Sequence, residues 1–190
     1  MTRIIAGQAK GRTLKVPRQG TRPTSDRVRE AVFSLLEARL GGLKNMVVLD
    51  LFAGSGALGL EAVSRGASRA VLVDFDKRAE AAARANALVV AGGGARVTVL
   101  RAKAAVLAAK RWPGEPFNLV FLDPPYSLPD KELNQLLADL DSGNLLSDGA
   151  SVVVERSCRA DAPTWPDDWE LMDQRVYGDT VVYVARIAER

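Results

Sequence analysis

An apolar run, Val47-Val48-Leu49-Asp50-Leu51, leads straight into Phe52-Ala53-Gly54-Ser55-Gly56-Ala57-Leu58-Gly59, and this junction restricts the chain more than any other feature. Such a run suits a strand buried on both faces of a parallel sheet. Gly54, Gly56 and Gly59 satisfy the G-x-G-x-x-G spacing, which turns a strand sharply into a helix and lets a ligand approach the main chain. The alternation then repeats. Strands are predicted at Val47–Leu51, Ala70–Val73, Arg96–Leu100, Leu119–Leu122 and Ser151–Val154. Helices are predicted between them, near Leu58–Ser64, Lys77–Val90, Ala104–Ala109 and Lys131–Leu140. The expectation is an α/β fold with a mostly parallel sheet. Trp169–Val176 and Thr180–Ala185, joined through Gly178-Asp179, read as a closing antiparallel hairpin.

Carboxylates flank the glycine loop. Asp50 lies at the carboxyl end of its strand, where an amino group such as that of a methionine moiety can be held. Asp74 ends the second strand, where a carboxylate can bind both ribose hydroxyls, with Asp76 as a rival. Phe52 and Phe75 either line an adenosine pocket or pack in the core, and Ala53 and Ser55 complete the loop. NAD and FAD enzymes share this glycine spacing. An NAD oxidoreductase is disfavoured, because no acid or base for hydride transfer is apparent.

The strand Leu119–Leu122 runs into Asp123-Pro124-Pro125-Tyr126. Ligands of open α/β sheets bind beyond the carboxyl ends of the strands, so this motif falls beside the glycine loop. Its chemistry suits an exocyclic amino group on a nucleic-acid base, a poor nucleophile whose lone pair is delocalised into the ring. Attack on a methyl sulfonium requires the nitrogen to pyramidalise and gain positive charge. The Asp123 carboxylate and Pro124 carbonyl can accept its two hydrogens and favour that change. The prolines stiffen the backbone and remove competing donors. Tyr126 can stack on a base that is unpaired or flipped out.

The chain has one cysteine, Cys158, and no histidine. An intrachain disulfide, a Cys/His zinc site, a histidine base and a Ser-His-Asp triad are all excluded, and no metal is expected. Cys158 follows the last parallel strand and reads as structural rather than as a C5-pyrimidine nucleophile. Met1–Ile5 lacks the apolar run of a signal peptide, and no charge-free stretch reaches a membrane-spanning length. A cytoplasmic monomer is expected.

Net charge is uneven. Residues 1–45 hold ten Lys and Arg against three acidic residues, or +7, while the remainder is −4. A basic extension over 1–45 ahead of a cofactor-binding domain over 46–190 suggests a polyanion docking at the arm. Within the arm, Ile4–Val16 reads as a hairpin turning at Gln8-Ala9-Lys10. A helix capped by Thr24, Ser25 or Asp26 follows, with an apolar stripe of Val28, Ala31, Val32, Leu35 and Leu36 and a stop at Gly41-Gly42. Arg3, Lys10, Arg12, Lys15, Arg18, Arg22, Arg27 and Arg29 are the expected phosphate contacts.

The chain resembles the RsmD-type bacterial methyltransferases, which modify guanine N2 in small-subunit (16S) ribosomal RNA. The similarity covers nearly the whole chain. It runs through Arg3–Gly7, Lys10-Gly11-Arg12, Arg22–Glu30, Asp50–Ala62 and Asp123–Tyr126, of which the Arg22-Pro23-Thr24 block is the narrower signature. The resemblance implies a Rossmann-like class I methyltransferase fold with a seven-stranded sheet, S-adenosyl-L-methionine as cofactor, and ribosomal RNA within a partly assembled small subunit as substrate. It implies cofactor contacts at Asp50, Gly54–Gly56 and Asp74, and a guanine held by Asp123–Tyr126. One position departs from the wider pattern. An acidic residue often contacts adenine after the third strand, but here the chain reads Arg101-Ala102-Lys103-Ala104, so a backbone carbonyl at Ala102 is assigned instead. The rivals are a DNA adenine-N6 methyltransferase and a nonenzymatic RNA-binding protein that kept the fold. The first usually needs a separate recognition region, and the intact Asp50, Asp74 and Asp123 argue against the second.

Overall fold

Central strands that are apolar on both faces need a covering layer on each side, and the chain supplies both. In the computed structural model, which describes residues 2–17, 25–92, 96–110 and 112–189, the elements follow in order. They are β1 (Thr2–Arg3), β2 (Thr13–Leu14), α1 (Asp26–Leu40), β3 (Val47–Leu51), α2 (Ala57–Ser64), β4 (Arg69–Asp74) and α3 (Lys77–Ala91). Then come β5 (Val97–Arg101), α4 (Ala104–Ala108), β6 (Phe117–Leu122), α5 (Asp130–Ser142), β7 (Leu146–Ser157), β8 (Trp169–Tyr177) and β9 (Thr180–Ile187). Seven strands form one sheet in the order β5-β4-β3-β6-β7-β9-β8. The first five of these are parallel, while β9 runs antiparallel to β7 and β8 antiparallel to β9. The order reverses between β3 and β6, which opens the ligand crevice of such sheets at their carboxyl ends.

One face carries α4 and α5, with Leu107, Leu133 and Leu137 packed on Leu49, Val120 and Val152. The other carries α1, α2, α3 and the N-terminal arm, with Ile4, Leu14, Phe33, Leu36 and Leu60 packed on Val48, Leu72 and Phe121. The arm and α1 thus add their apolar residues to the core of the sheet domain.

Helix α2 explains why. Seven of its eight residues are buried, including Glu61 and Ser64. A helix covered all round needs partners for its polar groups, and the arm's main chain provides them. Ile5 and Ala6 N–H donate to Glu61 at 2.8 and 3.0 Å, and Ala9 N–H donates to the Ser64 hydroxyl at 2.9 Å. Arg65 Nε also donates to Glu61, and its guanidinium lies 4.9 Å from the Phe33 ring centroid. The approach is so close that a Cβ on Gly7 would sit 1.9 Å from the Ser64 carbonyl oxygen. The hairpin therefore starts at Thr2 and is short, because Ile5 and Ala6 spend their N–H groups on Glu61 rather than across the ladder.

Helix α1 departs from expectation. Ser25 caps it, accepting from Val28 N–H, and Gly41 ends it at φ 71°. The buried face is Arg29, Val32, Phe33 and Leu36, rotated from the expected stripe. Those residues follow the i, i+3, i+4, i+7 rule with an arginine in the first place. Strand β7 is also longer than expected, and its first half pairs with β6 only at Phe117 and Leu146, before a register shift.

The Glu61→Ala protein is expected to lose about 3–5 kcal/mol, the cost of stranding the partners of a buried charge. Chemical denaturation measures the loss, and limited proteolysis should show earlier cleavage in residues 2–17.

Candidate active site

The loop after β3 holds its shape by turns that side chains resist. Phe52 sits at φ 62°, and Gly54 and Gly56 at 55° and 80°. Ala53 N–H donates to Val73 O, and Gly56 N–H closes back on Ala53 O. Gly59 lies where α2 crosses β3, and its N–H donates to Asp50 Oδ2 at 2.9 Å. A Cβ there would meet Leu72 at 2.3 Å.

Asp50 is 1% exposed, and its second oxygen, Oδ1, has no hydrogen-bond partner among the described residues. Burial pushes its carboxyl up to about 8, the Gly59 N–H pulls against this, and the charges of Asp123 and Asp74 add to the rise. A buried acceptor lacking a donor beside an open glycine loop fits a cationic amino group. Asp74 accepts from Gly54 N–H at 2.9 Å through Oδ2 and from Asp76 N–H at 2.9 Å through Oδ1. Asp76 instead caps α3, accepting from Arg78 and Ala79 N–H, which hold its carboxyl below the usual range. Asp74 is thus tied to the glycine loop and Asp76 to the start of α3. Phe75 is 63% exposed, so core packing does not account for it, whereas Phe52 packs partly into the core. Ala102 follows β5, with its N–H donating to Asp74 O.

Beyond β6, Pro124 is buried while Pro125 and Tyr126 are exposed. Leu128 N–H donates to Pro125 O, and Arg156 of β7 donates to Leu128 O at 3.2 Å and to Asp130. Arg156 is 4% exposed and fastens the loop that continues the Asp-Pro-Pro-Tyr motif, a role the sequence does not disclose. Asn86 is a second such residue. It accepts from Lys15 N–H at 2.7 Å and donates to Lys15 O and Ser55 O, joining the arm to the glycine loop. Its signal in the sequence is an asparagine in phase with Ala79 and Ala83 on the buried stripe of α3.

Of the residues expected to meet phosphate, Arg3, Lys10, Arg12, Lys15 and Arg27 are exposed. Arg18 and Arg22 lie outside the described residues. Arg29 is not a surface cation: it is 1% exposed and bonded to Arg3 O and Asp26. Burial lowers its guanidinium from the ordinary value, against the pull of Glu61 and Asp26. It braces the arm against α1.

Comparison with known proteins bears on the family and the fold. The family model described as "Conserved hypothetical protein 95" matches residues 2–186. "Ribosomal RNA small subunit methyltransferase D" of Escherichia coli K12 is 40% identical over 179 residues, covering 93% of this chain and 85% of that protein. The chain belongs to the RsmD family. The RsmD protein of Haemophilus influenzae is 34% identical, with 93% and 89% covered. Among solved structures, the E. coli protein yhhF superposes with a TM-score of 0.85 at 34% identity, over 99% of this chain and 98% of that one. RsmD-family members are S-adenosylmethionine-dependent methyltransferases, and the seven-stranded sheet found here is their fold.

Asp50 generates a pH prediction. Its folded carboxyl titrates at about 8, against about 3.9 in an unfolded chain. Between those values the folded protein without cofactor holds the extra proton, so stability falls as pH rises. Denaturation from about pH 5 to about pH 8 should show this slope in the wild type and a flatter one in Asp50→Asn.

Proposed function

We propose that this enzyme methylates the exocyclic N2 amino group of a guanine in small-subunit ribosomal RNA, working in the cytoplasm as a monomer. The observation that carries the reading is the facing pair of sites across the β3–β6 switch, with the buried, half-satisfied Asp50 on one side and Asp123–Tyr126 on the other. The curated relatives named for small-subunit ribosomal RNA support the substrate class.

The cofactor supplies an electrophilic methyl group on a sulfonium. Asp50 holds its amino end, Asp74 the ribose hydroxyls, Phe75 a face of the adenosine and Ala102 the adenine edge. Phe52, Ala53, Gly54, Ser55 and Gly56 form the floor. Asp123 and the Pro124 carbonyl accept the two hydrogens of the guanine amino group, and Pro125 and Tyr126 support the base. Asp123 would also take the surplus proton of the amino group, or pass it to water. Orientation and acceptor placement carry the rate, and no covalent enzyme intermediate is needed. Arg3, Lys10, Arg12, Lys15 and Arg27 meet RNA phosphates. Arg18 and Arg22, in the same basic segment, are assigned there by sequence.

Asp123→Ala is expected to slow transfer about 10²–10³-fold with the fold intact. A folded variant that turned over at the wild-type rate would remove Asp123 from the chemistry. Replacing Lys10, Arg12, Lys15 and Arg27 together with Gln should weaken binding to small ribosomal subunits and flatten its salt dependence. Cofactor affinity, read by calorimetry, should stay unchanged.

A further inference from the structure

The carboxyl ends of β4 and β5 carry a second group of cations, set in the part of the chain that is net acidic. Asp74, the last residue of β4, pairs with Arg101, the last of β5. Phe75 and Ala102 come next in each segment, followed by Lys77-Arg78 at the start of α3 and Lys103 just ahead of α4. Lys77, Arg78, Arg101 and Lys103 are all exposed. The acidic groups beside them are engaged locally. Asp76 caps α3, and Glu80 is shared between Arg84 and Arg101. The side chains of Lys77 and Lys103 have no hydrogen bond or ion pair among the described residues.

Stability alone does not account for these charges. The first turn of a helix favours Asp and Glu, and a cation there opposes the helix dipole. Helix α3 opens on two cations in a row, with Glu80 as the acidic residue of that turn. Ahead of α4, where Ser, Thr, Asp or Asn would accept a main-chain N–H, Lys103 makes no capping bond. The cofactor does not account for them either, because S-adenosylmethionine has no phosphate and no net negative charge. Cations along the rim that Phe75 and Ala102 offer to adenosine therefore answer a different anion. The RNA is the anion at hand. Asn86 joins the arm to the glycine loop at Ser55, and Asp74 joins β4 to the same loop at Gly54. The basic arm and the basic rim thus border one loop, and a polyanion crossing that loop can touch both.

We propose that Lys77, Arg78, Arg101 and Lys103 form a second phosphate-binding surface for the substrate RNA, so that the RNA backbone lies along the adenosine end of the cofactor crevice while the arm holds it elsewhere. The inference rests on the ribosomal RNA reading above. The test combines Lys77→Gln, Arg78→Gln and Lys103→Gln, and leaves Arg101 in place because it pairs with Glu80. Binding to small ribosomal subunits from a strain lacking this gene is measured over a range of salt. Three lost phosphate contacts should lower the slope of log K against log salt by about 2 to 3, with the largest loss of affinity at low salt. Cofactor affinity of the free protein, read by calorimetry, should not weaken, and Tm should not fall, since two of the lost cations oppose the α3 dipole. A folded triple variant with wild-type affinity and slope overturns the assignment. So does one that loses cofactor affinity or Tm in step with particle binding, because the charges would then serve the crevice or the fold. A photoreactive side chain in place of Lys103 gives a second measurement. Crosslinks to ribosomal RNA support the surface, and their absence, or crosslinks to ribosomal protein alone, overturns it. A wild-type protein that does not bind small subunits overturns the ribosomal RNA reading itself.

Discussion

The Glu61 carboxylate has no contact with water, and the N-terminal half of the molecule is organised around satisfying it. An ionised group so placed must gather donors or be neutralised. It gathers the N–H groups of Ile5 and Ala6 and the Arg65 guanidinium. That demand pulls the arm across α2 and completes the burial of the helix that follows the glycine loop. Arg29 enters the same cluster from α1. The arm, α1 and the glycine loop are consequently one packed unit, with the basic side chains Lys10, Arg12 and Lys15 left on its outer surface.

The opposite electrostatic choice is made at Asp50. Glu61 is surrounded by donors, whereas Asp50 receives one N–H and lies near the charges of Asp74 and Asp123. A site kept short of positive charge has a standing preference for a cation.

Legibility in the sequence followed locality. Strand β3 was readable to the residue, because an apolar run flanked by turn residues has no other use. The glycine loop and Asp123–Tyr126 were readable because each is a continuous motif with its own chemistry. The face of α1 was misread because Arg29 occupies a core position, and no local pattern announces an arginine that packs inward. The start of β7 was hidden by Asp148-Gly149, which interrupts the alternation while the strand continues through it. Arg156 gains its meaning only from tertiary packing, which sets Leu128 and Asp130 beside it, and the partners of Asn86 are likewise far from it in sequence.

Asn86 shows how narrow such a requirement can be. Its amide gives one acceptor and two donors on a short stem, and the structure uses all three, two on Lys15 and one on Ser55. Aspartate has the reach but no donors. Glutamine has the groups but one methylene too many for a close-packed interior. Among the twenty side chains only asparagine meets both conditions. The arm and the glycine loop are thus joined through one side chain, and a change at Asn86 disturbs both segments at once.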